Sequence, residues 1–356
     1  MRVSMSAPPR VTPATVEEIA RIVSWYLVTA YGRWEGPGTV PFYGDPGRVG
    51  HFAVDLDALA ARDPDAIFRL LVTLGAYQSR RDVDIMAIQR SIDARRAAKM
   101  TSLRKLRVLI DESACAYTRD ADTFDRCCDV RRDFERDRAT CWTRPRTRCH
   151  VKDATEAIGR MGDLGKMPTS AWLHLGSAGP QRWFAEACLL ENEPHARARR
   201  LVARVSMLYH IGIKLASMFV TALSVPELGW GAAWAPEVDG SRIVVVDANV
   251  GRAINIWRMN RGPKTYSALA RWLVAAADRI DLSRMRSTLP RSSPRLVQQA
   301  VYLFRSRSNR VALGDECAAR PCNSCPSRVC PFHPKRRRVR APSSSANELQ
   351  SSRPPP

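Results

Sequence analysis

The 356 residues contain no run of eighteen apolar side chains, the length an α-helix needs to cross a bilayer, so no transmembrane segment and no membrane partner are expected. The first thirteen residues lack the apolar core of a secretory signal. Together with cysteines that cluster as metal ligands do, this points to a reducing cytoplasm. Aromatics are scarce, at 7% of the chain, and the interleaved pattern of an RNA-recognition sheet is missing. Strand signals are few: residues 242–246 are the one convincing short apolar run, and a buried loop carries the same pattern. No internal repeat is found. Acidic side chains are also in short supply, with 35 Asp and Glu against 56 Lys and Arg, for a net charge of +21.

What is present is helical periodicity. Thr15-Val16-Glu17-Glu18 has the form of a capping box and opens an amphipathic segment reaching about Tyr31. Gly and Pro dominate residues 32–50, which read as loop. Asp63-Pro64 supplies a cap and a first-turn proline for a helix to Gln78. Apolar positions recur at helical spacing over 83–98, 102–110, 193–207, 214–223, 248–259, 266–280 and 293–306. The expected fold class is mostly α. A 45% hydrophobic chain of this length can bury a substantial core.

The positive charge is spread over the body. After Cys330 six cationic residues face Glu348 alone, so the tail carries +5 and the rest +16. Such a surface gains affinity for phosphate by releasing counterions. A coding bias toward Arg would give the same charge on an inert surface. The tail, 331–356, is basic and then Ser/Pro-rich, and is expected to be disordered.

Two segments carry the chemistry. In Leu208-Tyr209-His210-Ile211-Gly212-Ile213-Lys214 one helix ends, the chain turns tightly, and another helix begins. A turn feeding a helix N-terminus presents free N–H groups and partial positive charge to a phosphate. Lys214 falls in the first turn of that second helix, where the dipole opposes its charge, as suits an amine nucleophile. Asp247 follows the apolar run Val244-Val245-Val246 and precedes a helix, so it can act as N-cap. A carboxylate there can stabilise an oxocarbenium-like sugar.

These residues resemble the helix-hairpin-helix DNA glycosylases of the endonuclease III and MutY type. In that resemblance Lys214 matches the lyase lysine, and Asp247 matches the catalytic aspartate in its Val-Asp-x-x-Val setting. Gln78, at the end of Leu70-Leu71-Val72-Thr73-Leu74-Gly75-Ala76-Tyr77-Gln78-Ser79, matches the glutamine that fills the gap left by a flipped base. His210 and Gly212 fall in the hairpin that contacts DNA. The family hairpin usually reads Leu-Pro-Gly-x-Gly, so Tyr209 and His210 depart from it, and a non-glycine residue at a positive φ is strained. The resemblance spans about 63–330, interrupted near 111–166.

It implies two helical lobes with the DNA site in the cleft between them. One lobe covers 63–247, including the hairpin and the insertion; the other joins residues 1–62 to the helices and cysteine loop of 248–330. Cys317, Cys322, Cys325 and Cys330 form a C-x4-C-x2-C-x4-C pattern that suits a [4Fe-4S] cluster, with tetrahedral zinc as the alternative. Arg320 and Arg328 lie in that loop and are expected to face phosphates. Cys127, Cys128, Cys141, Cys149 and His150 form a looser group, read either as buried thiols or as a second metal site. With Trp142, Arg144, Arg146, Arg148 and Lys152, His150 lies where an insertion can remodel a base pocket.

The implied activity is a monomeric glycosylase acting on double-stranded DNA, which leaves an abasic site and nicks it if Lys214 attacks. One member of the superfamily removes glucosylated hydroxymethylcytosine from phage DNA, and the insertion suggests an unusual base of that kind. The alternatives are a housekeeping base-excision glycosylase and lyase, and a non-catalytic helix-hairpin-helix DNA-binding protein.

Overall fold

Helix α1, Pro13–Thr29, starts where the Thr12 hydroxyl accepts the Thr15 N–H and Pro13 fills a first-turn position that needs no donor. The expected capping box at Thr15 therefore lies one turn inside the helix. In this computed structural model, which describes residues 9–78, 80–113, 115–128, 149–158, 164–228, 232–315 and 328–332, Glu18 is buried and paired with Arg328 (2.8 Å). Ile19, Ile22, Val23 and Tyr26 form the inward stripe of α1. Each buried aliphatic side chain contributes about 1.5–3 kcal/mol.

After a loop of short helical turns, α2 spans Pro64–Gly75, with the Asp63 carboxylate accepting the Ala66 N–H. It ends three residues before Gln78. The single helix expected over 83–98 is two, α3 (Asp82–Ser91) and α4 (Ala94–Thr101), because the Asp93 carboxylate takes the Arg96 N–H and caps a new start. Then follow α5 (Leu103–Ser113), α6 (His150–Ile158), α7 (Met167–Leu175), α8 (Gln181–Leu190), α9 (Pro194–Val205) and α10 (Ile213–Ser224). The chain continues with α11 (Ala248–Trp257), α12 (Tyr266–Ala277), α13 (Pro294–Arg305) and α14 (Arg307–Ala312). Among the described residues there is no β-strand; Tyr31 and Glu35 form an isolated bridge, and 243–247 is irregular, held by side chains such as Gln298 and Tyr266, so the buried-loop alternative for 242–246 applies. No described helix is long and apolar enough to cross a membrane.

Helix α1 packs on α12 and α13, and α11 packs on the same two, so the N-terminal helix is completed by residues more than 230 positions away. Elsewhere α2 packs on α4, α7 and α10, and α9 lies between α8 and α10. A continuous apolar cluster runs through both sets, from Ile19 to Cys330. Trp234, one of the extra residues between α10 and α11, is fully buried in it, stacked on Phe184 and edge-on to Phe219.

Candidate functional site

Between α9 and α10 the chain reverses within seven residues, closed by the Ile211 N–H donating to the Leu208 carbonyl (2.9 Å). His210 sits at φ +60°, in the left-handed region that favours glycine. Its ring meets Tyr209 edge to face, with centroids 4.5 Å apart. Beneath the turn lies Lys166, 1% exposed, with Nζ 4.0 Å from the Tyr209 ring centre and donating to the Asp125 carbonyl (2.7 Å). A cation held against an aromatic face is a strong attachment once water is excluded. Gly212 caps α10 at an ordinary φ of −82°, and a Cβ there would meet nothing within 4 Å. The glycine leaves the surface before the helix open.

Gly75 brings the end of α2 against this turn. A Cβ at Gly75 would lie 2.5 Å from Met167 Cε and 3.2 Å from Ile211 Cδ1. With the backbones this close, Gln78 Nε2 donates to both the Gly75 carbonyl (2.7 Å) and the His210 carbonyl (3.2 Å). Three of the residues singled out in the sequence, Gln78, His210 and Gly212, thus occupy one surface.

Lys214 and Asp247 line one cavity of about 110 Å³, together with Tyr77, Asp82, Met218 and Gln298. Lys214 Nζ donates to the Tyr77 carbonyl (2.9 Å), and Asp247 Oδ1 accepts the Val250 N–H (2.7 Å) as the N-cap of α11. Burial pushes the Asp247 carboxyl above the usual carboxylate range, the Val250 N–H and the Lys214 charge pull it back, and Asp82 adds to the rise. Asp82, first residue of α3, accepts a short hydrogen bond from the Tyr302 hydroxyl, which itself accepts from Asn309 Nδ2 (3.2 Å). Burial, and then Asp82, hold the Tyr302 phenol well above its ordinary range, so it stays a donor.

The rest of the cavity wall includes Trp34, Phe42 and Glu35 from the loop after α1. The Arg48 guanidinium lies 5.0 Å from the Trp34 ring centre. Glu35 accepts from Gln299 Nε2 (2.9 and 3.0 Å) and from the Tyr26 hydroxyl (3.2 Å). Burial raises its carboxyl against the pull of Gln299, Arg295 and Tyr26. Behind it Arg295, 2% exposed, donates to Thr221 Oγ1 (3.1 Å) and to the side-chain oxygens of Gln298 and Gln299 (2.8 Å each). Burial brings the arginine down to about 10. Aromatic walls with a few fixed polar groups suit a planar heterocycle.

Cys317, Cys322, Cys325, Arg320, Cys141, Trp142, Arg144, Arg146 and Arg148 lie outside the described residues, while Cys127 is exposed and Cys128 and Cys149 are half-buried, so these three are not the buried thiols expected. Cys330 is buried, its sulfur 3.6 Å from Arg310 Nη1. Arg310 is fully buried over Phe304, Phe332 and Trp25 and paired with Asp315 (3.0 Å). Arg328, expected on phosphates, is instead paired with Glu18 of α1, because a buried carboxylate needs a cation. His150 is buried, with Nε2 3.1 Å from Thr169 Oγ1, and burial lowers it to about 4. Among the described residues no three ligand-type side chains converge as a metal site.

No protein-family model, no curated protein and no solved structure matches the chain. The residues that sequence reasoning missed are Glu35, Asp82, Lys166, Arg295, Gln298 and Tyr302. Arg295, Gln298 and Gln299 did leave a signal, an i, i+3, i+4 polar stripe in an otherwise apolar helix.

Proposed function

We propose that the chain is a DNA N-glycosylase with a two-lobed helix-hairpin-helix fold, acting as a cytoplasmic monomer on a base flipped from double-stranded DNA. The observation that carries this reading is the sharing of one aromatic-walled cavity by Lys214 and Asp247 beside the Gln78–His210 turn. Phosphates are drawn to the basic surface and one docks before α10, at Gly212. Gln78 fills the vacated stack, at a cost of a few kcal/mol for unstacking, as a rough figure. The Asp247 carboxylate stabilises positive charge at C1′ as the glycosidic bond breaks. Water then completes hydrolysis; where the Lys214 amine leaves the Tyr77 carbonyl and attacks C1′ instead, giving up a proton to Asp247 as the base departs, opening of the C1′–O4′ bond of the sugar, with O4′ taking a proton, leaves a Schiff base that permits strand cleavage.

Cys317, Cys322, Cys325 and Cys330 would hold a [4Fe-4S] cluster, or zinc. The buried Arg310 beside Cys330 suits a thiolate ligand, because a cation offsets the cost of burying negative charge. When bound, the metal centre supplies a rigid cross-link of the loop rather than redox chemistry.

The test is a gel assay for abasic sites on duplexes bearing oxidised, mismatched, hydroxymethylated or glucosylated bases. Release of a base, with a borohydride-trapped adduct that disappears in Lys214→Ala, supports glycosylase and lyase together. Release without an adduct supports the simple hydrolase. Release from glucosylated phage DNA alone would assign an anti-phage role, and release of damaged bases alone a repair role. Tight duplex binding with no release from any substrate leaves a non-catalytic DNA-binding protein.

A further inference from the structure

Gln298 lies on α13, 2% exposed, and lines the same cavity as Asp247. Two donors converge on its side-chain oxygen, Arg295 Nη1 at 2.8 Å and the Val245 N–H at 3.2 Å. Neither donor can be exchanged for an acceptor, so the orientation of the amide is fixed: oxygen toward Arg295 and Val245, nitrogen away from both. That nitrogen makes no hydrogen bond to any described residue. Such a nitrogen is available to an acceptor that enters the cavity. Arg295 is itself anchored by Thr221 and Gln299, so the donor rests on a rigid base.

The cavity that Gln298 shares with Asp247 narrows the substrate atoms it can meet. The Val245 N–H that fixes the Gln298 oxygen belongs to the segment that delivers Asp247 two residues later. Gln298 and Asp247 line one cavity, so a nucleotide whose sugar meets the carboxylate brings its base within the space that Gln298 borders. The atoms nearest a glycosidic bond on the base side are the ones flanking the departing nitrogen. In a pyrimidine one of these is the 2-carbonyl oxygen; in a purine neither is a carbonyl.

Building on the glycosylase reading, we infer that Gln298 is a further catalytic residue that donates to the 2-oxo oxygen of a flipped pyrimidine, and that 2-oxopyrimidines are the substrate class. As the C1′–N1 bond breaks, its electron pair passes into the base and much of the charge collects on O2, where the Gln298 N–H meets it. Water bonds to C1′ and gives up one proton to Asp247, and that proton returns through solvent to the departed base. Base and abasic sugar are the products, with no other reactant consumed. A preorganised donor aimed at developing charge works in the transition state more than in the ground state.

The test is Gln298→Glu, which keeps an acceptor for Arg295 and the Val245 N–H but replaces the donor with an oxygen. The variant is expected to stay folded, which a thermal melt checks, and to keep the phosphate contacts of duplex binding, which lie outside this cavity. Single-turnover release of a pyrimidine should fall about 10²–10³-fold, the usual cost of removing one such donor. A second measurement separates chemistry from packing: release compared between a pyrimidine and its 5-fluoro analogue, a better leaving group. The variant should favour the fluorinated base more strongly than the wild type does, because lost leaving-group stabilisation matters least where the leaving group is already good. Equal rates for wild type and variant, or an equal loss for purines and for both pyrimidines, would overturn the assignment of Gln298 while leaving a glycosylase in place. A wild type that releases no base from any duplex overturns the glycosylase reading, and this inference with it.

Discussion

Gln78 and His210, 132 residues apart in the chain, are joined by a hydrogen bond from the glutamine amide to the histidine carbonyl, at 3.2 Å. That bond needs α2 and the turn before α10 in near backbone contact, and Gly75 permits the approach. Gly75→Val should cost about 1–3 kcal/mol by overpacking against Met167 and Ile211. Gly75→Ala should cost less, because both obstructing atoms are side-chain tips that can shift. Thermal melts check the order, and a valine variant as stable as the wild type would show that the contact is loose.

The left-handed backbone at His210 gives a second ordering. His210→Gly relieves the steric penalty but adds chain entropy to the unfolded state, so its net effect should stay within about 1 kcal/mol. His210→Val places a β-branched side chain at φ +60° and should cost about 1–3 kcal/mol. Denaturant titration of the two variants measures the gap. Equal stabilities would mean that the turn relaxes.

Asp247→Asn should separate activity from stability. Asn is as good an N-cap as Asp, so the bond to the Val250 N–H survives. The folded state raises this carboxyl above its unfolded value, so its stabilising contribution is complete below the unfolded pKa and is lost as pH rises through the folded one. At neutral pH the ionised carboxylate is therefore a burden, and the asparagine variant should melt higher. On the proposed glycosylase reading, base release needs the ionised form and should fall at least about 100-fold in the variant. In the wild type the acid limb of kcat/KM should lie above that of an exposed aspartate.

His150 predicts an acid sensitivity of opposite sign. Its folded form is lowered to about 4 from an ordinary 6.5, so the unfolded chain takes up the proton first. Stability held above pH 6.5 is lost as pH falls toward 4, by an amount on the order of 3 kcal/mol. His150→Gln keeps a polar partner for Thr169 without titrating and should flatten that stretch of the pH profile. An unchanged slope would overturn the assignment to His150, because the buried carboxyls of Asp247 and Glu35, raised above their ordinary range, change stability with the opposite sign.

Helices with a clear cap or 3.6-residue spacing were legible in the sequence, because both signals are local: Asp63-Pro64 starts α2 and Asp247 caps α11 as read, whereas α7, α8 and α14 were not read. The break at Asp93 was missed because an apolar period runs on across it, and only the carboxylate's choice of the Arg96 N–H ends one helix and starts another. At the site, Lys214, Asp247, Gln78, His210 and Gly212 could be picked out as short motifs. Glu35, Asp82 and Tyr302 could not, because each gains its place from a contact with a distant segment. The Tyr302 hydroxyl finds Asp82 across 220 residues, and Gln299 finds Glu35 across 264. No local pattern encodes a pairing of that kind. Arg328 shows the converse error: a basic residue in a loop reads as a phosphate contact until its buried partner, Glu18, is seen.

The side chain of Trp25 donates its indole N–H to Asp315, 290 residues later. Glu18 likewise waits for Arg328, and the Arg10 and Val11 carbonyls for Trp272 and Arg279. During synthesis the first helix therefore leaves the ribosome without the surfaces it binds. At ordinary elongation rates it stays unpaired for roughly 15–60 s before its partners emerge. Its exposed apolar stripe is a target for chaperones over that interval, and the packing of α1 is completed only once residues 266–328 have been made.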